Sequence, residues 1–180
     1  MKNWLCAILI TLLIQPASAQ RTMSRQSSLG ASARYNGNSA GAEAFYAQYT
    51  LGGFWEAGVE GEDYHCPLST GERMRYIDMY ARGGYQFRLA SSRSRGIGLY
   101  AGAGIFAGAE CADPFNSIPN YISLNVPQWQ FLYGVYGKAL LEVFIAKKVA
   151  LTVDACMPVN FSSKLTPLHW SAGLGFKVLL

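Results

Sequence analysis

The stretch from Ile97 to Glu110 alternates between two kinds of residue with a period of two. Its odd-numbered positions are all Ile, Leu or Ala, and its even-numbered positions are glycine apart from Tyr100, Phe106 and Glu110. Because successive side chains on a β-strand point to opposite faces, this pattern predicts a strand with one apolar face and one small or polar face. A helix would scatter the same residues around its axis. The chain therefore needs a fold in which the two faces of a strand meet different surroundings.

The same period recurs along the chain and predicts eight strands. They span residues 28–36, 42–51, 53–64, 77–89, 97–110, 129–145, 149–161 and 168–180. Short turns are predicted at 52–53, 91–95 and 147–148, and longer loops at 36–41, 65–71, 112–128 and 162–166. An even number of strands joined alternately by short turns and longer loops is typical of a transmembrane barrel. We therefore predict an all-β fold, an eight-stranded antiparallel up-and-down β-barrel.

The composition is apolar and poor in charge. Of 180 residues, 51% are hydrophobic and 14% are charged, whereas a typical soluble domain has about 25% charged residues. This hydrophobicity excludes a disordered chain. The formal net charge of +4 is too small to indicate a nucleic-acid partner. We expect no direct contact with nucleic acid and no cofactor.

Residues 1–19 have the features of a secretory signal peptide. Lys2 supplies a positive start, residues 4–14 form an apolar core, and Pro16 precedes the small residues Ala17-Ser18-Ala19. The segment is too short for a membrane-spanning helix with stop-transfer flanks. We expect cleavage near Ala19, which leaves residues 20–180 as a single β-barrel domain.

The apolar faces of the strands are predicted to lie against lipid. Several strands keep such a face for about seven positions, enough to cross the roughly 25 Å apolar band of an outer-membrane barrel. The opposite faces are rich in glycine, tyrosine and small residues, which suits a narrow barrel with a filled interior. These features favour a barrel in the outer membrane of a Gram-negative bacterium.

Charged residues on the inward faces are predicted to form a network in the lumen. On this register they are five cations and five anions, namely Arg34, Arg82, Arg88, Lys138 and Lys177 with Glu56, Glu60, Asp78, Glu142 and Asp154. A buried charge without a partner costs several kcal/mol, so charges inside a barrel have to be paired. A balanced set of this kind is able to plug the lumen.

A soluble barrel of the lipocalin type is the alternative that the alternation allows. Such a periplasmic protein encloses its apolar faces around a small apolar ligand and turns its polar faces to water. It would be extracted from cells without detergent.

The last predicted strand carries the pattern of a C-terminal insertion signal of outer-membrane strands. Ser171, Gly173, Phe176 and Val178 follow the order polar, glycine, aromatic, hydrophobic, with valine where a second aromatic residue is usual. At the end of a secreted, alternating chain this pattern supports the outer-membrane prediction.

Cysteine usage permits one internal disulfide. Without the signal peptide the chain keeps Cys66, Cys111 and Cys156, so at most one internal bridge can form. Cys66 and Cys111 both fall at strand ends on the long-loop side and are candidates for a bridge in an oxidising compartment. Cys156 is then the unpaired thiol and faces inward.

Few residues are candidates for catalysis. His65 lies near Asp63 and Ser69 in a predicted loop, and the other histidine is His169, at the mouth of a strand. A Ser/His/Asp site needs a base within hydrogen-bond reach of the hydroxyl and a third group that orients the base. Residues of one short loop seldom meet this requirement. We expect no enzyme, and keep an outer-membrane enzyme that depends on His65 as an alternative.

Several short stretches carry a more specific resemblance. They are Gln20-Arg21-Thr22-Met23 with Leu29-Gly30, Phe131-Leu132-Tyr133-Gly134 leading to Leu141-Glu142-Val143, Lys147-Lys148-Val149-Ala150-Leu151, and Gly173-Leu174-Gly175-Phe176-Lys177. In these stretches the chain resembles the conjugative-transposon TraO family, and its layout is OmpX-like. The resemblance implies a cell-envelope component of a conjugative DNA-transfer apparatus, with outer-membrane lipid and other apparatus proteins as partners. It implies no catalytic residue.

Overall fold

The structure, a computed structural model, describes residues 25–67, 73–92, 96–112, 129–163 and 168–180. Eight strands follow one another: β1 (Ser27–Tyr35), β2 (Ser39–Tyr49), β3 (Gly53–Pro67), β4 (Arg73–Ser91), β5 (Ile97–Ala112), β6 (Trp129–Phe144), β7 (Val149–Asn160) and β8 (Ser171–Leu179). The expected signal peptide, residues 1–19, lies outside the described residues. Within these ranges, no helix is long and apolar enough to cross a membrane.

The strands form one closed antiparallel barrel in chain order. Each strand pairs with the next, and β1 also pairs with β8. Leu29 on β1, for example, lies opposite Tyr46 on β2 and Val178 on β8. Closure gives the backbone groups of the first and last strands partners that an open sheet edge would lack. The predicted eight-stranded antiparallel up-and-down β-barrel is confirmed.

Burial along each strand follows the predicted period of two. On β6, Leu132, Tyr136 and Leu140 are buried, whereas Phe131 and Val135 are exposed. The barrel interior therefore receives the polar and glycine-rich faces, and the apolar faces point outward. Successive side chains on a strand point to opposite faces, so the parity of a position, odd or even, decides the face to which its side chain belongs. The sequence pattern is therefore sufficient to assign the face.

The connection predicted at 36–41 is shorter than expected, and β3 continues to Pro67, past its predicted end at residue 64. Only Asn36, Gly37 and Asn38 connect β1 to β2. The Asn36 side chain accepts hydrogen bonds from the backbone N–H groups of Asn38 and Ser39, at 2.9 and 2.7 Å. Gly37 takes a φ of 89°, a conformation that glycine adopts without steric cost. A tight turn therefore joins β1 to β2 where an open loop was predicted, and β2 begins three residues earlier than predicted, at Ser39.

Glycine at position 104 leaves room for a buried ring. A Cβ on Gly104 would lie 2.3 Å from the carbonyl oxygen of Gly83 and 2.6 Å from Cε1 of Tyr136. We expect Gly104→Ala to lower the free energy of unfolding by about 1–3 kcal/mol, because strand and ring would have to shift. The matched control is Gly137→Ala, whose Cβ meets nothing within 4 Å. Urea unfolding of both variants in vesicles measures the difference, and equal stabilities would contradict this packing.

Candidate functional site

The exterior of the barrel is apolar on every strand. Large exposed side chains include Leu29, Tyr46, Val59, Met79, Ile105, Val135, Val153 and Leu174, one from each strand in chain order. Soluble monomers rarely expose contiguous apolar surface on this scale. The soluble lipocalin-like alternative is wrong in its central expectation, because it requires these faces to enclose the interior.

Aromatic side chains gather at both margins of this apolar exterior. Near the long loops, the rings of Phe131 and Tyr133 stack with centroids 6.0 Å apart. Near the short turns, Tyr85 packs between Trp55 and Phe87, with centroids 4.9 and 4.7 Å away. Rings of this kind occupy the two lipid–water interfaces of membrane barrels.

Four buried side chains from the first four strands form a closed ring of ion pairs, the central ring, in the lumen. Arg34 on β1 lies 2.8 Å from Glu43 on β2 and 2.8 Å from Glu60 on β3. Arg82 on β4 lies 2.8 Å from Glu60 and also contacts Glu43. The two arginines thus bridge the same two glutamates, each through a different carboxylate oxygen. Shared contacts of this kind compensate charges that are removed from water.

Charged groups from the second half of the chain join the central ring. Lys138 on β6 lies 2.8 Å from Glu56, which Arg82 contacts at 3.3 Å. Asp154 on β7 lies 2.9 Å from Arg34. The network therefore spans the lumen from wall to wall.

An aromatic layer closes the lumen toward the short turns. The buried ring of Phe54 lies 5.3 Å from that of Tyr49 and 5.0 Å from that of Tyr100, between centroids. The ammonium group of Lys177 lies 4.3 Å from the centroid of Phe54 and 3.3 Å from Glu142. Lys177 is thus held by a carboxylate and by the face of an aromatic ring.

Three carboxylates form one row, the acidic row, toward the long loops. The strand register pairs Glu62 on β3 with Asp78 on β4, and Asp78 with Glu110 on β5. All three are buried, and neither carboxylate oxygen of Asp78 has a hydrogen-bond partner. Like charges that face each other on neighbouring strands are destabilising. The acidic row therefore differs from the central ring, whose acids all contact arginine.

The segment between β7 and β8 contacts the acidic row at two points. Ser163 donates a hydrogen bond to Glu110 at 2.7 Å. His169 Nε2 lies 2.6 Å from the Tyr64 hydroxyl and 3.5 Å from Glu62. His169 is therefore at the mouth of the lumen, where it was expected.

The structure places nine of the ten predicted network residues inside the lumen. The exception is Arg88, for which the prediction is wrong. Its guanidinium is at the short-turn rim and donates to the carbonyl oxygen of Leu51. The aromatic layer of Phe54 and Tyr100 lies between this rim and the central ring, and the register shifts between Arg88 and Ala90. Position parity assigns a face of the strand but not a depth along the barrel.

Three further acids in the lumen were missed, namely Glu43, Glu62 and Glu110. With them the described lumen holds eight carboxylates and four cations, instead of the expected five of each. Glu62 shares its parity with Glu56 and Glu60, and Glu110 lies on the glycine-rich face of its strand, so both carried a usable signal. Glu43 was harder to assign, because β2 has alanine and aromatic residues on both faces.

The residues of the predicted insertion signal lie on both faces of β8. Ser171 and Gly173 are buried, and the Ser171 hydroxyl accepts a hydrogen bond from Arg34 at 3.1 Å. Phe176 and Val178 are exposed on the outside. The polar residue and the glycine of the pattern therefore pack in the lumen, and its aromatic and hydrophobic residues lie on the apolar exterior. The role of the pattern in insertion stays a prediction.

The cysteines are distributed between the lumen and one strand end. Cys156 is buried in the lumen, with its sulfur 3.8 Å from a guanidinium nitrogen of the central ring. Cys111 is buried on β5, and the side chain of Cys66 lies outside the described residues. The register places β4 between them, with Cys66 opposite Met74 and Cys111 opposite Ile77. Two strand spacings exceed the roughly 7 Å between Cα atoms that a disulfide tolerates. The predicted bridge stays a prediction that requires these strand ends to shift.

The candidate catalytic group at the long-loop end is only partly described. Asp63 and His65 lie on β3, and Ser69 is outside the described residues. Arg75 donates a hydrogen bond to Asp63 at 2.8 Å and holds the pKa of that carboxyl below its usual range. Among the described residues, no three His, Cys, Asp or Glu side chains are placed to hold a metal ion.

A closed eight-stranded barrel with an apolar exterior and a charged, filled interior defines the class of small β-barrels of outer-membrane type. The fold is similar to the N-terminal β-barrel domain of Pseudomonas aeruginosa OprF, with a TM-score of 0.50 and 16% identity over 87% of this chain and 98% of that one. It is also similar to Ail, the attachment invasion locus protein of Yersinia pestis, in complex with the heparin analogue sucrose octasulfate. There the TM-score is 0.53, with 13% identity over 88% of this chain and 100% of that one. At these identities the likeness is one of fold.

The sequence itself identifies the family. Residues 20–180 match the family described as conjugative transposon protein TraO. The chain belongs to this family, and the resemblance predicted from its short stretches is confirmed. No curated protein matches the chain.

Proposed function

We propose that the protein is an outer-membrane component of a conjugative DNA-transfer apparatus and acts through contacts with other proteins, without catalysis. The observation that carries the membrane location is the apolar exterior, to which every strand contributes. Membership of the TraO family supports the role in conjugation. The signal peptide expected at residues 1–19, with cleavage near Ala19, would bring the chain to the periplasm.

A closed barrel with an apolar exterior is suited to a lipid bilayer. Backbone groups in lipid have to be bonded internally, and the closed ladder from β1 to β8 provides this. In barrels of this class the short turns face the periplasm and the longer loops face outward. We assign the same orientation here.

The filled lumen supports an anchoring or docking role over a conduit. The central ring and the aromatic layer around Phe54 occupy the interior, and eight strands enclose little more than side chains. A single copy therefore has no bore for DNA. Other proteins of the transfer apparatus and outer-membrane lipid are the partners of this proposal.

Fractionation of donor cells tests the location. We expect the protein in the outer-membrane fraction, with a mobility on gels that changes on boiling, because folded barrels resist detergent until heated. Release as a soluble periplasmic protein would contradict the proposal.

Mating assays with the same cells test the role. Loss of the chain is expected to lower transfer frequency, and the wild-type chain to restore it. The matched variant His65→Ala should restore transfer equally well, because His65 is exposed at the long-loop end and no catalysis is proposed. An intact barrel that carries His65→Ala and fails in transfer would favour an enzyme instead.

A further inference from the structure

The described residues at the short-turn end present basic side chains and no Asp or Glu side chain to solvent. Arg25 precedes β1, and Lys147 and Lys148 form the β6–β7 turn; all three are exposed. Arg88, near the end of β4, is half-buried and keeps its guanidinium at the rim, on the carbonyl oxygen of Leu51. We call Arg25, Arg88, Lys147 and Lys148 the basic rim.

The acidic side chains that the structure describes lie elsewhere. Eight of the described carboxylates are buried in the lumen, and among these Glu142 pairs with Lys177 and accepts a hydrogen bond from the Tyr49 hydroxyl. The other described acid, Asp63, pairs with Arg75 at the long-loop end. The positive charge of the basic rim is therefore not neutralised by neighbouring acidic side chains of the described chain. Arg93 and Arg95 lie outside the described residues and carry no part of this argument.

The basic rim borders directly on the apolar exterior. Lys147 lies two residues after Ile145, which is 53% exposed. Arg88 starts on the lumen face between the outward-pointing Phe87 and Leu89, and its guanidinium reaches the rim at the carbonyl oxygen of Leu51. Basic side chains one or two residues from lipid-facing apolar groups reach the level of the lipid headgroups. At that depth the acidic groups they meet are phosphates.

We propose that the basic rim binds anionic phospholipid headgroups of the leaflet next to the short turns. This proposal rests on the proposed insertion of the barrel into the membrane. It adds that the inserted barrel prefers anionic phospholipids to neutral ones as neighbours. Lysine ammonium groups in an exposed turn suit a phosphate as point charges, and the Arg88 guanidinium adds planar donors. Each basic side chain near an anionic surface contributes attraction that corresponds to about fivefold in lipid preference.

Retained lipid measures this preference directly. The full chain is folded into vesicles with equal parts of phosphatidylcholine and phosphatidylglycerol, extracted in mild detergent, and analysed for bound phospholipid by mass spectrometry. We expect the ratio of bound phosphatidylglycerol to bound phosphatidylcholine to be at least about fivefold higher than the one-to-one ratio of the vesicle. The combined variant Arg88→Gln, Lys147→Gln and Lys148→Gln is expected to lose this enrichment, and Lys147→Arg with Lys148→Arg to keep it.

The possible outcomes separate this inference from the proposed function. Failure to insert into vesicles of pure phosphatidylcholine contradicts the outer-membrane barrel itself. Insertion with phosphatidylglycerol at its bulk share, or enrichment unchanged in the glutamine variant, overturns the lipid proposal alone. Enrichment that added inorganic phosphate abolishes would assign the rim to a soluble phosphate-bearing ligand, and so would also overturn it.

Discussion

Replacing Arg82 with methionine is expected to lower the free energy of unfolding of the barrel by about 3–5 kcal/mol. Arg82 contacts Glu43, Glu56 and Glu60, and its side chain is almost completely buried. Methionine has a similar length and no charge, so three enclosed carboxylates would lose a common partner. Urea unfolding in phospholipid vesicles, followed by the heat-modifiable gel band, measures the change.

Two variants make the Arg82 result specific. Arg75→Met removes an arginine that also contacts an acid, Asp63, but at a partly exposed site on the outside. Exposed ion pairs contribute about 0–1 kcal/mol, so this control should change stability little. Arg82→Lys keeps the positive charge and should fall between wild type and Arg82→Met. An Arg82→Met barrel as stable as Arg75→Met would show that the central ring does not hold the barrel together.

Replacing Asp78 with asparagine is expected to raise the free energy of unfolding by about 1–3 kcal/mol. Asp78 lies between Glu62 and Glu110 in the acidic row, and neither of its carboxylate oxygens has a hydrogen-bond partner. Asparagine has nearly the same shape, cannot carry a negative charge, and brings an amide that can donate to a neighbouring carboxylate. The same unfolding assay measures the gain.

Asp154→Asn is the matched control for Asp78→Asn. It makes the same chemical change at a lumen carboxylate that lies 2.9 Å from Arg34. There the substitution removes an ion pair, so it should destabilise the barrel. The two changes should therefore have opposite signs. Destabilisation by Asp78→Asn would mean that the Asp78 carboxylate is stabilised in the lumen, contrary to its lack of a partner.

The faces of the strands could be predicted from sequence because side-chain direction is a local property. The alternation at 97–110 assigned Tyr100 and Phe106 to the interior, where they are buried. The partners of the charges could not be predicted in the same way. The contact of Arg34 with Asp154 depends on the closure of β1 onto β8 and on the register across the barrel.

Depth along the barrel was the second quantity that parity could not provide. Arg88 has the parity of a lumen residue, but it lies opposite Tyr100 of the aromatic layer and its guanidinium extends to the rim. Asp78 lies at the same depth as Glu110, opposite it on the neighbouring strand. The arginines of the central ring contact Glu43 and Glu60 instead of Asp78. The expected balance of five cations and five anions failed for this reason, since it treated the interior as one compartment. The lumen instead consists of layers with different charge.

The central ring belongs entirely to the first half of the chain. Arg34, Glu43, Glu60 and Arg82 come from β1 to β4. Two of their four contacts, Arg34 with Glu60 and Arg82 with Glu43, join strands that are not neighbours in the sheet. Such contacts form only when these four strands curl toward one another. The first half of the chain thus carries the groups that hold its own four strands in a curve. The second half is joined to the same charges through Asp154 on β7, which lies 2.9 Å from Arg34.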